Sequence, residues 1–451
     1  MQALDQYKSK SIAVFGLGKT GLSAINNFMS NKVKVYAWDD NKEEILKAKE
    51  IHSECNFLHP QKYNWQEIVA LILSPGIPIL YPSPHWVVKL ARKFNCLIKS
   101  DIELFLEIIA KKDPQPKIIG VTGTNGKSTT TSLIGHILQL AGKTVDIGGN
   151  LGNPVLNFSL DKEIYVIELS SFQLDLMSKF SIDIAVLLNI TPDHLDRYEN
   201  MEKYIEAKFK LISNSKVAVI GYDNEITFNI FNNFIQNKIP ISIKTMVKQG
   251  ISLIGNNLFV YGKKILINKT KIDLASNAEN IAAAYAVCSL LRIDSDIIIN
   301  GITSFIGLRH RNEMLGKIRN VLFINDSKAT NAESTKKGIL SYKNIYWIVG
   351  GRSKKEGIEP LKSYFQRIKK AFLIGESTDV FADTLKNKVS FVKCGNLKNA
   401  FNLAYQEALH DKKEATIFFS PACASFDQWR NFEERGESFC KMFATLKAAC
   451  L

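Results

Sequence analysis

Ile118-Ile119-Gly120-Val121-Thr122-Gly123-Thr124-Asn125-Gly126-Lys127-Ser128-Thr129 is an apolar run, a glycine-punctuated turn, then a lysine and hydroxyls opening a helical pattern. In that order these elements form a nucleotide phosphate cradle. Glycines let backbone N–H groups approach phosphate oxygens, the helix dipole favours an anion, Lys127 neutralises β/γ charge and Ser128 reaches Mg²⁺. The loop is a variant. The commonest pattern has glycine where Val121 stands, whereas here Gly120 falls one place early and Gly123 lies inside the turn. The following helix is supported by Leu133, Ile134, Ile137 and Leu138 on one face and by the Ala141-Gly142 stop.

Upstream, Ser11-Ile12-Ala13-Val14-Phe15 reads as a buried strand, followed by Gly16-Leu17-Gly18-Lys19-Thr20-Gly21 and a helix to about Met29. A second strand, Val33 to Trp38, ends at Asp39. This G-x-G-x-x-G with an acid about 20 positions on is the fingerprint of a dinucleotide-binding βαβ unit, and alone it points to a dehydrogenase. Ala70-Leu71-Ile72-Leu73 then runs into Ser74-Pro75-Gly76-Ile77-Pro78, a rigid turn where a ligand meets backbone N–H groups. Asp113-Pro114-Gln115-Pro116 interrupts a helical pattern over 101–110, which puts a boundary near 100–116.

Downstream, strands at Ile164–Glu168 and Ile184–Asn189 end in polar residues, as at the carboxyl edge of a parallel sheet. The pattern restarts near 308–325, with strands at 321–326, 345–351, 371–374 and 416–419. The expected fold class is α/β, three consecutive αβ domains.

At 451 residues and 46% hydrophobic content the chain has room for two to four packed domains. No run approaches the roughly 18–20 apolar residues of a membrane helix, and MQALDQYKSK lacks an apolar signal core. A cytoplasmic protein without membrane insertion is expected. Seven scattered cysteines without a C-x-x-C pair indicate neither a disulfide framework nor a zinc site, so free thiols are expected. The net charge of +14 is spread as single lysines without a long basic run or interleaved aromatics, which points to a solvated surface and no nucleic-acid partner.

Glu168 closes its strand about 40 residues after Lys127, where a nucleotide-using sheet places its metal-binding acid. After the next strand comes Thr191-Pro192-Asp193-His194-Leu195-Asp196. His194 is a candidate for metal or substrate, and Asp193 and Asp196 are expected to cap the following helix.

The stretches Gly123–Thr129, Gly148-Gly149-Asn150, Glu168-Leu169-Ser170-Ser171-Phe172-Gln173-Leu174, Asp193–Tyr198, Asn325-Asp326-Ser327-Lys328-Ala329-Thr330-Asn331 and Ser420-Pro421-Ala422-Cys423-Ala424-Ser425 together resemble the Mur ligases, bacterial enzymes that build the peptidoglycan peptide stem. The Glu168–Leu174 and Ser420–Ser425 stretches are similar to the branch that adds D-glutamate. Resemblance covers nearly the whole chain.

The resemblance implies a Rossmann-like UDP-substrate domain (1–100), a central P-loop-type ATP domain (101–307) and a C-terminal Rossmann-like domain (308–451) that binds the amino acid and closes on ATP. It implies ATP, Mg²⁺ at two sites, UDP-N-acetylmuramoyl-L-alanine and D-glutamate as ligands, and an acyl-phosphate followed by a tetrahedral intermediate. Ser128 and Glu168 would hold one Mg²⁺; His194 and a carbamylated Lys208 would hold the second. Lys127, Glu168, His194 and Lys208 become the catalytic set. ATP would meet Gly123, Thr124, Asn125, Gly126, Lys127, Ser128, Thr129, Asn280, Arg311 and Asp326. The glycine-rich first block changes meaning. Gly18, Lys19, Thr20, Asp39, Ser74, Pro75 and Gly76 become UDP contacts, and Asn150 and His194 touch the muramoyl-alanine. Lys328, Thr330, Lys354, Ser425, Phe426 and Phe432 would face D-glutamate. A monomer is expected.

This chain departs from the family in two places. Relatives often carry Asp where Arg352 stands, so either Lys354 or Lys355 makes the glutamate contact, and Arg309 precedes His310-Arg311 where proline is common. A nicotinamide dehydrogenase leaves the phosphate loop and Glu168 unused, a P-loop nucleic-acid motor leaves the first block idle, and a folylpolyglutamate-type ligase lacks the UDP-type first block.

Overall fold

Ser11–Phe15 is buried along its whole length, as a strand covered on both faces must be, and forms β1 of a parallel sheet. The computed structural model describes Tyr7 and residues 10–267, 270–411 and 413–450. The MQALDQYKSK stretch lies outside them apart from Tyr7 and Lys10.

With β2 (Lys34–Trp38), β3 (Ile68–Leu73) and β4 (Leu97–Lys99) the sheet order is β2-β1-β3-β4. Phe15 pairs with Trp38 on one side and Leu73 on the other. That register delivers the following residues, Gly16, Asp39 and Ser74, to one edge at a topological switch point.

The second sheet contains β5 (Lys117–Thr122), β6 (Val145–Gly149), β7 (Ile164–Glu168), β8 (Ile182–Leu187), β9 (Ser215–Gly221), β10 (Lys238–Ser242), β11 (Ile251–Ile254), β12 (Asn257–Val260) and β13 (Lys263–Leu266). Its order is β13-β12-β11-β10-β9-β8-β5-β7-β6. Strands β5 to β11 run parallel to one another; β12 pairs antiparallel with β11, and β13 with β12, extending the edge. Strand β5 lies between β7 and β8, so the loop leaving it opens into a second switch-point crevice.

The third sheet runs β14-β15-β19-β16-β17-β18, from β14 (Glu313–Ile318), β15 (Val321–Asn325), β16 (Ile345–Gly350), β17 (Ile368–Ile374), β18 (Phe391–Gly395) and β19 (Ala415–Phe419). Only β14 is antiparallel to its neighbour.

These sheets belong to two compact units, Met1–Thr270 with Asn277–Phe305, and Lys271–Ser276 with Ile306–Leu451. In the first unit one apolar core runs from Ile12, Val14 and Phe28 through Phe105 and Phe158 to Tyr165 and Leu187. Ser23 and Asn27 add polar ties to Asn157 Oδ1 at 2.7 Å and Leu156 O at 3.1 Å. In the second unit, Phe323, Phe401, Phe419 and Phe439 pack on one sheet face and Trp347, Phe365, Phe381 and Phe418 on the other. Among the described residues no helix is long and apolar enough to cross a membrane.

The first glycine loop is dictated by close approach. A Cβ on Gly21 would lie 1.9 Å from the Gly16 carbonyl oxygen, whereas one on Gly18 would meet nothing within 4 Å. Gly21→Ala is therefore expected to destabilise the protein by about 3 kcal/mol, as overpacking against immovable backbone does. Gly18→Ala should change stability by less than about 1 kcal/mol. Urea unfolding of both variants checks this; equal effects would contradict the packing argument.

Candidate active site

The phosphate-loop lysine takes its place from helix geometry: Gly126 has φ 89° and ends the loop, and the helix Lys127–Leu140 starts without a side-chain cap. Uncapped N–H groups at a helix start suit an anion. The Lys127 amine donates to the carbonyls of Gly123 (3.0 Å) and Thr124 (2.9 Å). Ser128 donates its hydroxyl to Glu168 Oε2, and Asn150 donates to Glu168 Oε1 at 2.7 Å. Ser128 and Glu168, both buried, thus present oxygen donors side by side, the chemistry a hard cation such as Mg²⁺ takes.

Lys208, completely buried on the helix Met201–Ser213, donates to the same Gly123 carbonyl at 2.8 Å. Burial, reinforced by the nearby Lys127 charge, pulls its pKa well below the ordinary lysine value. Its amine also lies 4.7 Å from the centre of the Tyr204 ring, and that ring meets the His194 imidazole at 6.5 Å. His194, at φ 56°, packs edge-on against Phe172 and donates its backbone N–H to Asp193 Oδ1 at 3.0 Å. The expected cap is corrected here. The helix beginning at Met201 is capped by Asn200, which accepts from Lys203 N–H, because a turn over 195–197 and the bends after it separate Asp193 and Asp196 from the helix start.

Asn280 reaches the loop from a distant helix: its Oδ1 accepts from Thr130 at 3.2 Å, and a Cβ on Gly126 would strike that oxygen at 2.4 Å. Two further residues brace the loop and were not singled out from sequence. Asn189 accepts from Asn125 N–H (3.0 Å) and donates to Asn125 O (3.1 Å) and Glu279 (2.6 Å). Tyr204 bonds Thr124 at 3.1 Å. The position of Asn189, a polar residue ending an apolar run, was the available signal; Tyr204 had none.

At the first sheet's edge Asp39 accepts from Leu17 N–H (2.7 Å) and Asn41 N–H (2.8 Å), and Ser74 donates to Gly16 O (2.7 Å). Gly18 and Lys19 are exposed beside them, and the helix Lys19–Ser30 also begins without a side-chain cap. Thr20 lies in its first turn. In the Ser74-Pro75-Gly76 turn the Gly76 carbonyl accepts from Arg197 at 2.8 Å.

In the second unit Asp326 is buried, accepting from Asn312 N–H (3.0 Å) and Ser420 Oγ (2.7 Å). Burial pushes its carboxyl up to about 7, although the Arg311 guanidinium opposes the shift. The Lys328 amine sits 3.8 Å over the Phe432 ring. Lys354 and Lys355 are both exposed, on a loop whose Arg352 forms a two-bond pair with Glu376 (2.9 and 3.0 Å) and exchanges backbone bonds with Ala424 at 3.0 Å. That bridge brings the lysine loop beside the segment bearing buried Ser425. Phe426 is largely exposed and Thr330 half-buried. His310 Nδ1, Glu313 Oε2 and Cys440 Sγ lie within 4.8 Å of one another, a donor set able to take a metal. The Asn325 amide nitrogen already fills their common point, at 2.8, 3.2 and 3.1 Å.

Comparison with known proteins gives one consistent picture. Residues 121–288 match the Mur ligase middle domain, and residues 10–90 match the Mur ligase MurD-like N-terminal domain. The chain is 58% identical to a UDP-N-acetylmuramoylalanine–D-glutamate ligase of Wolbachia sp. subsp. Brugia malayi, over 98% of both chains. It is 44% identical, again over 98% of both chains, to one so named from Rickettsia bellii. Among solved structures, the UDP-N-acetylmuramate-alanine ligase MurC of Thermotoga maritima superposes with a TM-score of 0.62 at 18% identity, covering 97% of this chain and 99% of that one. That likeness supports the three-sheet α/β fold.

The raised Asp326 carboxyl carries a stability signature. An unfolded chain loses this proton near 3.8 and the folded one near 7, so between those values the folded state holds a proton the unfolded state has released. Its contribution to stability therefore falls as pH rises from about 4 to 7. Asp326→Asn should lose less stability than wild type over that range in urea titrations without ligands; parallel curves would show that Asp326 ionises normally.

Proposed function

The chain belongs to the Mur ligase family, and on that premise we propose that it joins D-glutamate to UDP-N-acetylmuramoyl-L-alanine, with ATP cleaved to ADP and phosphate, in peptidoglycan precursor synthesis. The observation that carries this reading is the full-length identity to relatives of that name, joined to a phosphate loop whose lysine, hydroxyl and acid lie together. A nicotinamide dehydrogenase would have no use for that loop.

The chemistry must bring two anions together. The alanine carboxylate attacks the γ-phosphorus, a C–O–P bond forms, the β–γ bridge breaks and ADP departs. The D-glutamate amine then attacks the acyl carbon; the tetrahedral adduct expels phosphate, and the amine proton is released to solvent. Lys127 offsets the charge that gathers on the transferring phosphoryl group, leaving its loop carbonyls for phosphate oxygens. Ser128 and Glu168 would hold Mg²⁺, which supplies Lewis-acid neutralisation of the phosphates when bound. Gly123 to Thr129 and Asn280 cradle ATP, and Arg311 and Asp326 are assigned to it as well. Gly18, Lys19, Thr20, Asp39 and the Ser74–Gly76 turn face the uridine diphosphate, and Asn150 and His194 the muramoyl-alanine. Lys328, Thr330, Lys354, Ser425, Phe426 and Phe432 receive D-glutamate.

Lys208 is assigned the carbamate. A lysine amine kept neutral by burial can attack CO₂, forming an N–C bond and losing a proton, which leaves an anionic oxygen donor in place of an ammonium. With His194 this would make a second Mg²⁺ site. The division into 1–100, 101–307 and 308–451, action in the bacterial cytoplasm and a monomeric state belong to the same proposal.

Purified protein with ATP and Mg²⁺ should release phosphate only when UDP-N-acetylmuramoyl-L-alanine and D-glutamate are both present. Turnover with a dipeptide-bearing precursor or a diamino acid instead would overturn the assignment. Lys208→Ala should lose at least about a hundredfold in kcat, the scale of a lost metal-supporting group, and regain part of it with added short carboxylates. Without such rescue the carbamate assignment fails.

A further inference from the structure

Arg435, in the first turns of the helix Phe432–Ala449, has no exposed surface, and none of its bonded partners is a carboxylate. Its Nε donates to Ser327 Oγ at 3.0 Å, and Nη2 donates to Ser327 O at 2.7 Å and Cys423 O at 3.0 Å. Ser327 Oγ in turn donates to the Phe432 carbonyl at 2.8 Å. The remaining nitrogen, Nη1, is buried without a hydrogen-bond partner and lies beneath Gly351, where a Cβ would stand 3.3 Å from it.

Three segments therefore converge on one guanidinium: Ser327, just before Lys328 and Thr330; Gly351, just before Lys354; and Cys423, two residues before Ser425. The last two are also joined to each other by the Arg352–Ala424 bridge. Burial lowers the guanidinium only to about 10, so it stays charged at neutral pH. A buried ion that no carboxylate hydrogen-bonds is costly even with Asp427 and Asp326 nearby, and an apolar side chain of the same volume would fill the space at less cost. Ligand binding supplies a reason to keep the charge: a cation that no acid hydrogen-bonds, with Asp427 and Asp326 acting on it only through space, lies in a low-dielectric floor and still acts on an anion bound above it.

We propose that Arg435 is the positioning residue of the amino-acid subsite, fixing the spacing of Lys328, Lys354 and Ser425 and favouring a dianionic amino acid over its neutral amide. This rests on the reading that these residues receive D-glutamate. Lysine at 435 keeps the charge but loses the planar fork, and methionine loses both.

The test is steady-state kinetics of the full-length enzyme with Arg435→Lys and Arg435→Met. The KM for D-glutamate should rise by at least about tenfold in the first and further in the second, while the KM values for ATP and the UDP substrate stay within about twofold. Preference for D-glutamate over D-glutamine, as the ratio of kcat/KM, should fall at least about tenfold in Arg435→Met only. A D-glutamate KM within about twofold of wild type, or three KM values rising together, overturns the proposal. If neither variant folds, Ser327→Ala decides, since it removes one bond to the fork; its D-glutamate KM alone should rise about threefold, and no change overturns the role. Failure of the wild type itself to consume D-glutamate would overturn the substrate reading, and this inference with it.

Discussion

Two lysine amines converge on one backbone carbonyl, that of Gly123, from 3.0 and 2.8 Å. Burial of Lys208, reinforced by repulsion from the nearby Lys127 charge, drives the buried partner toward its neutral form. The pair thereby divides the labour of a site that must bind polyphosphate. Lys127, half-buried at a helix start, keeps its charge beside the phosphate loop, held by the Gly123 and Thr124 carbonyls; Lys208, buried beside Tyr204, is left as an amine driven toward its neutral form. The rest of the loop is organised to keep that carbonyl in place, with Asn189 latching Asn125 on one side and Tyr204 holding Thr124 on the other.

Sheet topology places the chemistry. In the first unit both switch points, after β1 and after β5, leave a glycine-rich turn and an uncapped helix start at the carboxyl edge. One suits a diphosphate and the other a triphosphate, by the same physics of exposed N–H groups. The second unit uses a different device. Its loops are held from below by buried polar side chains: Asn325 collects His310, Glu313 and Cys440, and Arg435 collects the Ser327 and Cys423 segments. Such networks fix loops firmly only when their hydrogen bonds are nearly complete, which makes the unbonded Nη1 of Arg435 informative.

Strands buried on both faces are continuous apolar runs, so β1, β3, β5, β7, β8, β15, β16 and β19 were legible in the sequence, as were the glycine turns that follow them. Strand β6, Val-Asp-Ile-Gly-Gly, was not, because two glycines and an acid hide its pairing beside β7. The β11–β13 edge is short and only partly buried, which leaves little periodicity to read. Within the site, residues adjacent to the glycine loop could be found by spacing. Thr124 and Tyr204 are 80 positions apart, and Arg435 looks like any solvated helix arginine until the fold buries it. The misassigned cap has a local cause: Asn200, not the acids before it, lies directly ahead of the helix.

Oxygen transfer reports directly whether the loop bearing Lys127 delivers a phosphoryl group to a carboxylate, as we propose. With both oxygens of the alanine carboxylate of the UDP substrate labelled as ¹⁸O, one labelled oxygen should appear in each phosphate released during ligation, read by mass spectrometry. Phosphate carrying no label, with amide formed at the normal rate, would mean that the carboxylate is never phosphorylated.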